Sequence, residues 1–273
     1  MATEVRLDRS PYELELDETF AGPELSRTWI PHYLPQWSSR ERAAARYALA
    51  PGGIRLRIDA DQPPWSPDVD GWLRVSSLQT GVSSGPAGSG VGQHRFRPDL
   101  IVREAQPADW RYTPRHGLIE VRLRALADPA NMVALWMIGI EDEPEHSAEI
   151  CVCEIFGRDV EPSSARVGMG VHPFGDPSIR DDFEQVALPI DAREAHWYAA
   201  EWMPGRVAFY VDEQRVKVVD QSPDYPMQLM LSLYEFATGP EPASPADRYP
   251  KEAMVERLRG WRPVGPSPSV LLT

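Results

Sequence analysis

Ala148-Glu149-Ile150-Cys151-Val152-Cys153-Glu154-Ile155-Phe156 sets two glutamates into a run that is otherwise wholly apolar. Its β-branched and aromatic residues suit a strand covered on both faces, where a lone carboxylate is costly. Side chains alternate along a strand, so a separation of five residues sends Glu149 and Glu154 to opposite faces and drives one into the core. One extra residue, a β-bulge, returns both to the same face. The residues alone leave two geometries open: one buried, hydrogen-bonded glutamate with one exposed, or a bulged strand presenting both to a common hollow.

Working outward, Leu118–Ala125 alternates strictly, with Ile119, Val121, Leu123 and Ala125 on one face and Glu120, Arg122 and Arg124 on the other. Similar segments occur at Gly53–Asp59, Met132–Ile140, Ala148–Phe156, Arg206–Asp212, Arg215–Asp220 and Met227–Phe236, separated by Pro, Gly, Asp and Ser. Many short strands and little helical pattern predict an all-β sandwich or barrel. Val211–Val216 reads as a hairpin without a turn glycine, and Arg40–Tyr47 is the best short helix. Loops are expected at Asp61–Asp70, Gly81–Gly92 and Gly239–Arg248, where a rigid sandwich would carry its binding surfaces.

The length of 273 residues allows one large all-β domain, and 42% hydrophobic residues suffice for a sizeable core. A net charge of −13 repels polyphosphate and anionic lipid, so neither nucleic acid nor a membrane is expected as a partner. The charged opening, Met-Ala-Thr-Glu-Val-Arg-Leu-Asp-Arg-Ser, lacks the apolar stretch of a secretory signal. The chain as given reads as cytoplasmic; a secreted chain trimmed of its signal would read the same. Cys151 and Cys153, two apart on one strand, are poorly placed to bond each other.

In its bulged form the central strand holds the glutamate α-carbons about 13 Å apart, four effective steps of about 3.3 Å. Side chains leaning together can approach the roughly 5 Å separation of the two carboxyls in a retaining glycosidase. The chain at this point resembles glycoside hydrolase family 16, the laminarinase and lichenase group, whose strand motif is Glu-x-Asp-x-x-Glu. Asp17–Trp29 is similar to that family's opening segment, His116–Arg122 and Ala134–Met137 to two of its strands, and His196–Trp202 with Phe209–Asp212 to a later pair. Tyr249–Arg259 is similar to its closing strand. The shared order covers about residues 12–263, leaving 1–11 as an N-terminal extension and 264–273 as a tail. The resemblance implies a jelly-roll β-sandwich of two antiparallel sheets with a groove on the concave face, binding a poly- or oligosaccharide.

By that resemblance Glu149 matches the nucleophile and Glu154 the acid/base of a retaining, endo-acting hydrolase of a β-glucan or related polysaccharide. Cys151 stands where the family motif has an aspartate, and a thiol does not replace a carboxylate near neutral pH. This departure raises an alternative of a different class: a carbohydrate-binding protein of the same fold with weak or lost catalysis. His172 matches a position beside the catalytic cleft. Glu120 and Arg122 match sugar-binding positions, although an ion pair on a solvated face fits them equally. Ser232 and Tyr234 replace an amide and an aromatic platform, and Trp136 reads as packing beneath the site. Trp65, Trp72 and Trp110 are candidates for cleft walls. Many relatives hold a structural calcium ion; with no compact Asp/Asn loop of the required spacing, no metal or other cofactor is expected to be required.

Overall fold

The computed structural model describes residues 5–265. Its first strands are β1 (Tyr12–Glu18), β2 (Arg46–Ala50), β3 (Gly53–Ile58), β4 (Arg74–Gln79), β5 (Gly81–Val82) and β6 (Asp109–Trp110). The middle of the chain forms β7 (Gly117–Arg124), β8 (Asn131–Gly139), β9 (Glu149–Phe156), β10 (Val160–Glu161), β11 (Ser164–His172) and β12 (Asp182–Leu188). β13 (His196–Met203), β14 (Arg206–Val211), β15 (Gln214–Val219), β16 (Met227–Glu235) and β17 (Lys251–Pro263) complete it. One antiparallel sheet has the order β15-β14-β13-β7-β17-β3-β2, with β1 also paired to β17. The other runs β10-β11-β9-β8-β16-β4, with β12 paired to β11, and β5 and β6 form a separate ribbon.

The two sheets stack as a jelly-roll sandwich, and the period-two pattern explains why. Ile119, Val121 and Leu123 of β7 share one core with Val133, Leu135 and Met137 of β8 and Leu229, Leu231 and Leu233 of β16. Each such side chain contributes about 1.5–3 kcal/mol on full burial. The alternate residues of the second sheet, among them Ala134, Trp136, Cys151 and Met230, face outward into a second apolar layer completed by Tyr33, Leu34, Trp37 and Trp65. Loops therefore wall that face. The outer face of the first sheet is covered by Leu7 and Tyr12, so residues 5–11 lie against the domain. At the other end, residues 266–273, most of the expected tail, lie outside the described residues.

Two local expectations resolve differently. The hairpin between β14 and β15 turns on Asp212 (φ 46°) and Glu213 (φ 69°), both left-handed as a two-residue primed turn requires, without glycine. The Asp212 carboxylate accepts from the Trp197 backbone N–H at 3.0 Å and sits 2.6 Å from His196 Nδ1, which holds the turn. The helix expected over Arg40–Tyr47 shrinks to a single turn, Arg40–Ala43, with Ser39 Oγ accepting from the Arg42 N–H. So short a helix has little stability of its own, and pairing with β3 extends the following residues as β2.

Candidate active site

β9 carries the bulge. Against β8, Leu135 faces Cys153 while Trp136 faces Cys151, leaving Val152 as the extra residue. Against β11 the same slip puts Glu154 opposite Gly168 and Cys151 opposite Gly170. Ile150, Val152, Cys153 and Ile155 consequently enter the main core, and Cys151 turns to the loop-walled face. Strand alternation on either side of the bulge sends Glu149 and Glu154 to that same face. The neighbouring strand accommodates the kink through glycine: a Cβ on Gly170 (φ +150°) would stand 2.1 Å from the Asp182 carbonyl oxygen, and one on Gly168 2.4 Å from the Phe183 ring.

Burial controls the acids. Glu149 is only 9% exposed, and desolvation, reinforced by the like charges of Glu154 and Glu141, pushes its carboxyl up to about 8. Burial also raises Glu154, opposed by a bond from the Cys151 thiol and by the charge of His172. Cys151 is fully buried and its thiol rises far above the usual range, first through desolvation and then through the two glutamates. It therefore stays a neutral thiol on the strand between them. Glu141, just beyond β8, is raised to about 7 by burial, against the opposing bond from the His94 backbone N–H.

Beside the glutamates opens a cleft of about 900 Å³. Gly85, Gln93, Arg95, Phe96 and Trp110 line one part of it and Glu141, Ser147 and Phe174 another. Trp110 and Phe174 are each 39% exposed and offer aromatic faces of the kind on which sugars stack. The two glutamates lie outside the cleft lining, and His94 joins Glu149 to it. Its ring stacks on Phe174 at 4.5 Å and meets Trp136 edge-on at 5.1 Å. Its Nδ1 stands 3.4 Å from Glu149 Oε1.

Of the other sequence candidates, His172 lies across from Glu149 in register, its Nδ1 2.5 Å from the Asp181 carboxylate and its ring stacked on Phe183. Trp136 lies under the site, its indole N–H donating to Ser232 Oγ at 3.4 Å. Several expectations need correction. Ser232 is fully buried and its hydroxyl also contacts Ser77 Oγ at 2.7 Å, so it supports Trp136 instead of meeting sugar. Tyr234 is 5% exposed, packed edge-on to Tyr33 and stacked on Phe236, which makes it floor and not platform. Glu120 and Arg122 belong to β7 in the other sheet. Glu120 is completely buried on that sheet's outer face between Arg9 at 2.7 Å and Arg259 at 2.8 Å, and Arg122 pairs with Glu256 at 2.8 Å. Neither can reach the groove.

Of the wall candidates, Trp65 is buried beneath the loops, Trp72 is half-buried and Trp110 lines the cleft. Sequence reasoning missed His94, Glu141 and Tyr33. His94 sits in a loop with no periodic signal, and Glu141 opens Glu141-Asp142-Glu143, which has the composition of a solvated turn. Among the described residues no three His, Cys, Asp or Glu side chains converge as a metal site would need.

The sequence pattern described as glycosyl hydrolases family 16 matches residues 110–249, which contain both glutamates and the bulge. The chain belongs to this family. Among solved structures it is similar to the GlcNAcα1-4Gal-releasing endo-β-galactosidase from Clostridium perfringens, at 28% identity and a TM-score of 0.80 over 94% of this chain. The chain spans 64% of that enzyme's own chain. It also shares its fold with a laminarinase from Flavobacterium sp. UMI-01 (16% identity, TM-score 0.60, 92% of this chain and all of that one). The laminarinase catalytic domain from Thermotoga maritima aligns likewise (16% identity, TM-score 0.63, 94% of this chain and all of that one). Comparison with curated proteins gives no match.

Proposed function

We propose that this protein is a retaining, endo-acting glycoside hydrolase in which Glu149 is the nucleophile and Glu154 the acid/base. The observation that carries this reading is the bulge at Val152, which turns the buried Glu149 and the half-buried Glu154 to the same loop-walled face of the sheet. Burial raises the Glu154 carboxyl and so favours the protonated form, which donates to the leaving glycosidic oxygen. Ionised Glu149 attacks the anomeric carbon as that bond breaks, giving a covalent glycosyl ester. Glu154, now a carboxylate, takes a proton from water, and the resulting attack releases the sugar with its original configuration.

The substrate proposed first is a β-galactoside-containing glycan, because the likeness to the endo-β-galactosidase is closer in both identity and fold than the likeness to the laminarinases. A β-glucan is the next choice. Incubation with a glycan ending in GlcNAcα1-4Gal, and with laminarin, lichenan, agarose, carrageenan and xyloglucan, tests the reading. Sugar release lost by about 10²–10⁴-fold in both Glu149→Gln and Glu154→Gln supports it; release unchanged in either variant sinks it.

Cys151 favours a second reading, a carbohydrate-binding protein without turnover, since no carboxylate stands between the glutamates. Ligand retained in a pull-down with no product, from both the wild type and Cys151→Asp, would favour it.

A further inference from the structure

Glu149 and His94 face each other with their side chains largely enclosed. His94 Nδ1 is enclosed and makes no hydrogen bond of normal geometry. The 3.4 Å between them is about half an ångström beyond a charge-assisted N–H···O bond. A buried polar atom left in this way calls for an explanation.

The loop that delivers His94 is strongly fixed. The Gln93 carbonyl accepts from Trp37 Nε1 at 2.8 Å and Gln36 Nε2 at 2.9 Å. The Gln93 side chain accepts from the Ser83 N–H at 2.9 Å and donates to Gln228 at 2.8 Å. His94 itself takes a left-handed backbone (φ 53°), unusual outside glycine. Its N–H is tied to Glu141 and its carbonyl accepts from the Phe96 N–H at 2.9 Å. Strain held by so many restraints is characteristic of functional positions.

We propose that His94 is the positioning residue for Glu149, sharing one proton with it across the site and holding the carboxylate for attack. The exchange is balanced: the Glu149 O–H breaks as an N–H forms on His94 Nδ1, and the net charge of the pair is unchanged. It meets a chemical need, because burial holds a proton on Glu149 up to about pH 8 and an isolated acid of that kind is a poor nucleophile near neutrality. Burial also drives His94 down to about 3, so an imidazolium forms there only against the paired carboxylate. In such a pair the titration belongs to both groups together. The charged or titratable groups around it are Glu154 and Cys151 on β9, His172 across on β11, Glu141 at the His94 amide, Arg95 beside it in sequence, and Tyr33.

The proposal rests on the catalytic role given to Glu149, and its test separates the two. With ¹⁵N-histidine labelling of the full chain, the His94 Nδ1 resonance is followed from pH 3 to 9 in the wild type and in Glu149→Gln. Sharing predicts a titration above pH 4 in the wild type that is absent from the variant; superimposable curves overturn the proposal whether or not any sugar is cleaved. On a cleaved substrate, His94→Phe preserves the aromatic packing and is expected to lower kcat by about 10²-fold with KM nearly unchanged. His94→Gln, which keeps a donor, recovers part of that loss. A folded His94→Phe enzyme with wild-type kcat and pH profile would assign His94 to packing alone. If no substrate is cleaved but the resonance moves with position 149, the proton pair stands and the hydrolase reading fails.

Discussion

Replacing Glu149 by Gln should make the fold more stable at neutral and alkaline pH while leaving its acid stability nearly unchanged. The folded carboxyl is raised from the ordinary 4.5 to about 8, so between those values the folded chain keeps a proton that the unfolded chain has released. Stability then falls as pH rises through this window. At about 1.4 kcal/mol per pH unit, position 149 costs the wild type about 3 kcal/mol by pH 7 and about 5 kcal/mol by pH 9. Gln does not titrate and escapes that cost. The count is the same whether the proton rests on Glu149 or on His94, so the effect does not depend on which atom carries it. For a domain of this size, about 2 °C per kcal/mol gives a Tm gain of about 6 °C at pH 7. Thermal unfolding of both proteins by circular dichroism at pH 4, 7 and 9 reads this difference. Parallel curves, with a gap that does not widen from pH 4 to 9, would refute the argument that burial raises this carboxyl.

Cys151→Asp places a group that can ionise between the glutamates and should raise kcat at least about tenfold, a gain of about 1.4 kcal/mol at the transition state; an unchanged rate in steady-state assays contradicts that. Deleting Val152 removes the bulge but leaves Glu149 and Glu154 four positions apart on one face of a regular strand, so the variant should still unfold cooperatively, less stable by about 1.5–3 kcal/mol for the lost core side chain; a chain without a cooperative transition would mean that alternation does not decide where Glu154 points. Glu120→Ala strands Arg9 and Arg259 on the outer face of the other sheet and should cost about 3 kcal/mol with KM unchanged; a raised KM with unaltered stability would return Glu120 to the groove.

The parts of the fold legible in sequence were those written in local alternation. Leu118–Ala125, Met132–Ile140 and Met227–Phe236 became β7, β8 and β16 with small shifts at their ends. The bulge could be anticipated because two carboxylates in an apolar run leave few inexpensive solutions. Alternation, however, says which residues share a face and not which sheet or surface that face joins, and Glu120 and Arg122 were misplaced for that reason. His94 and Glu141 were illegible because each depends on contacts distant in sequence: Gln93 anchored to Trp37 and Gln228, and Glu141 capped by the His94 amide. The turn at Asp212-Glu213 carried no glycine signal, since neighbouring side chains hold its left-handed backbone.

The direct test of paired carboxyls working by double displacement is the configuration of the first sugar released. Proton NMR of a cleaved β-linked substrate, recorded within minutes and before mutarotation, should show the β-anomer of the new reducing end. Appearance of the α-anomer first would mean single displacement by water, and the role assigned to Glu149 would be wrong.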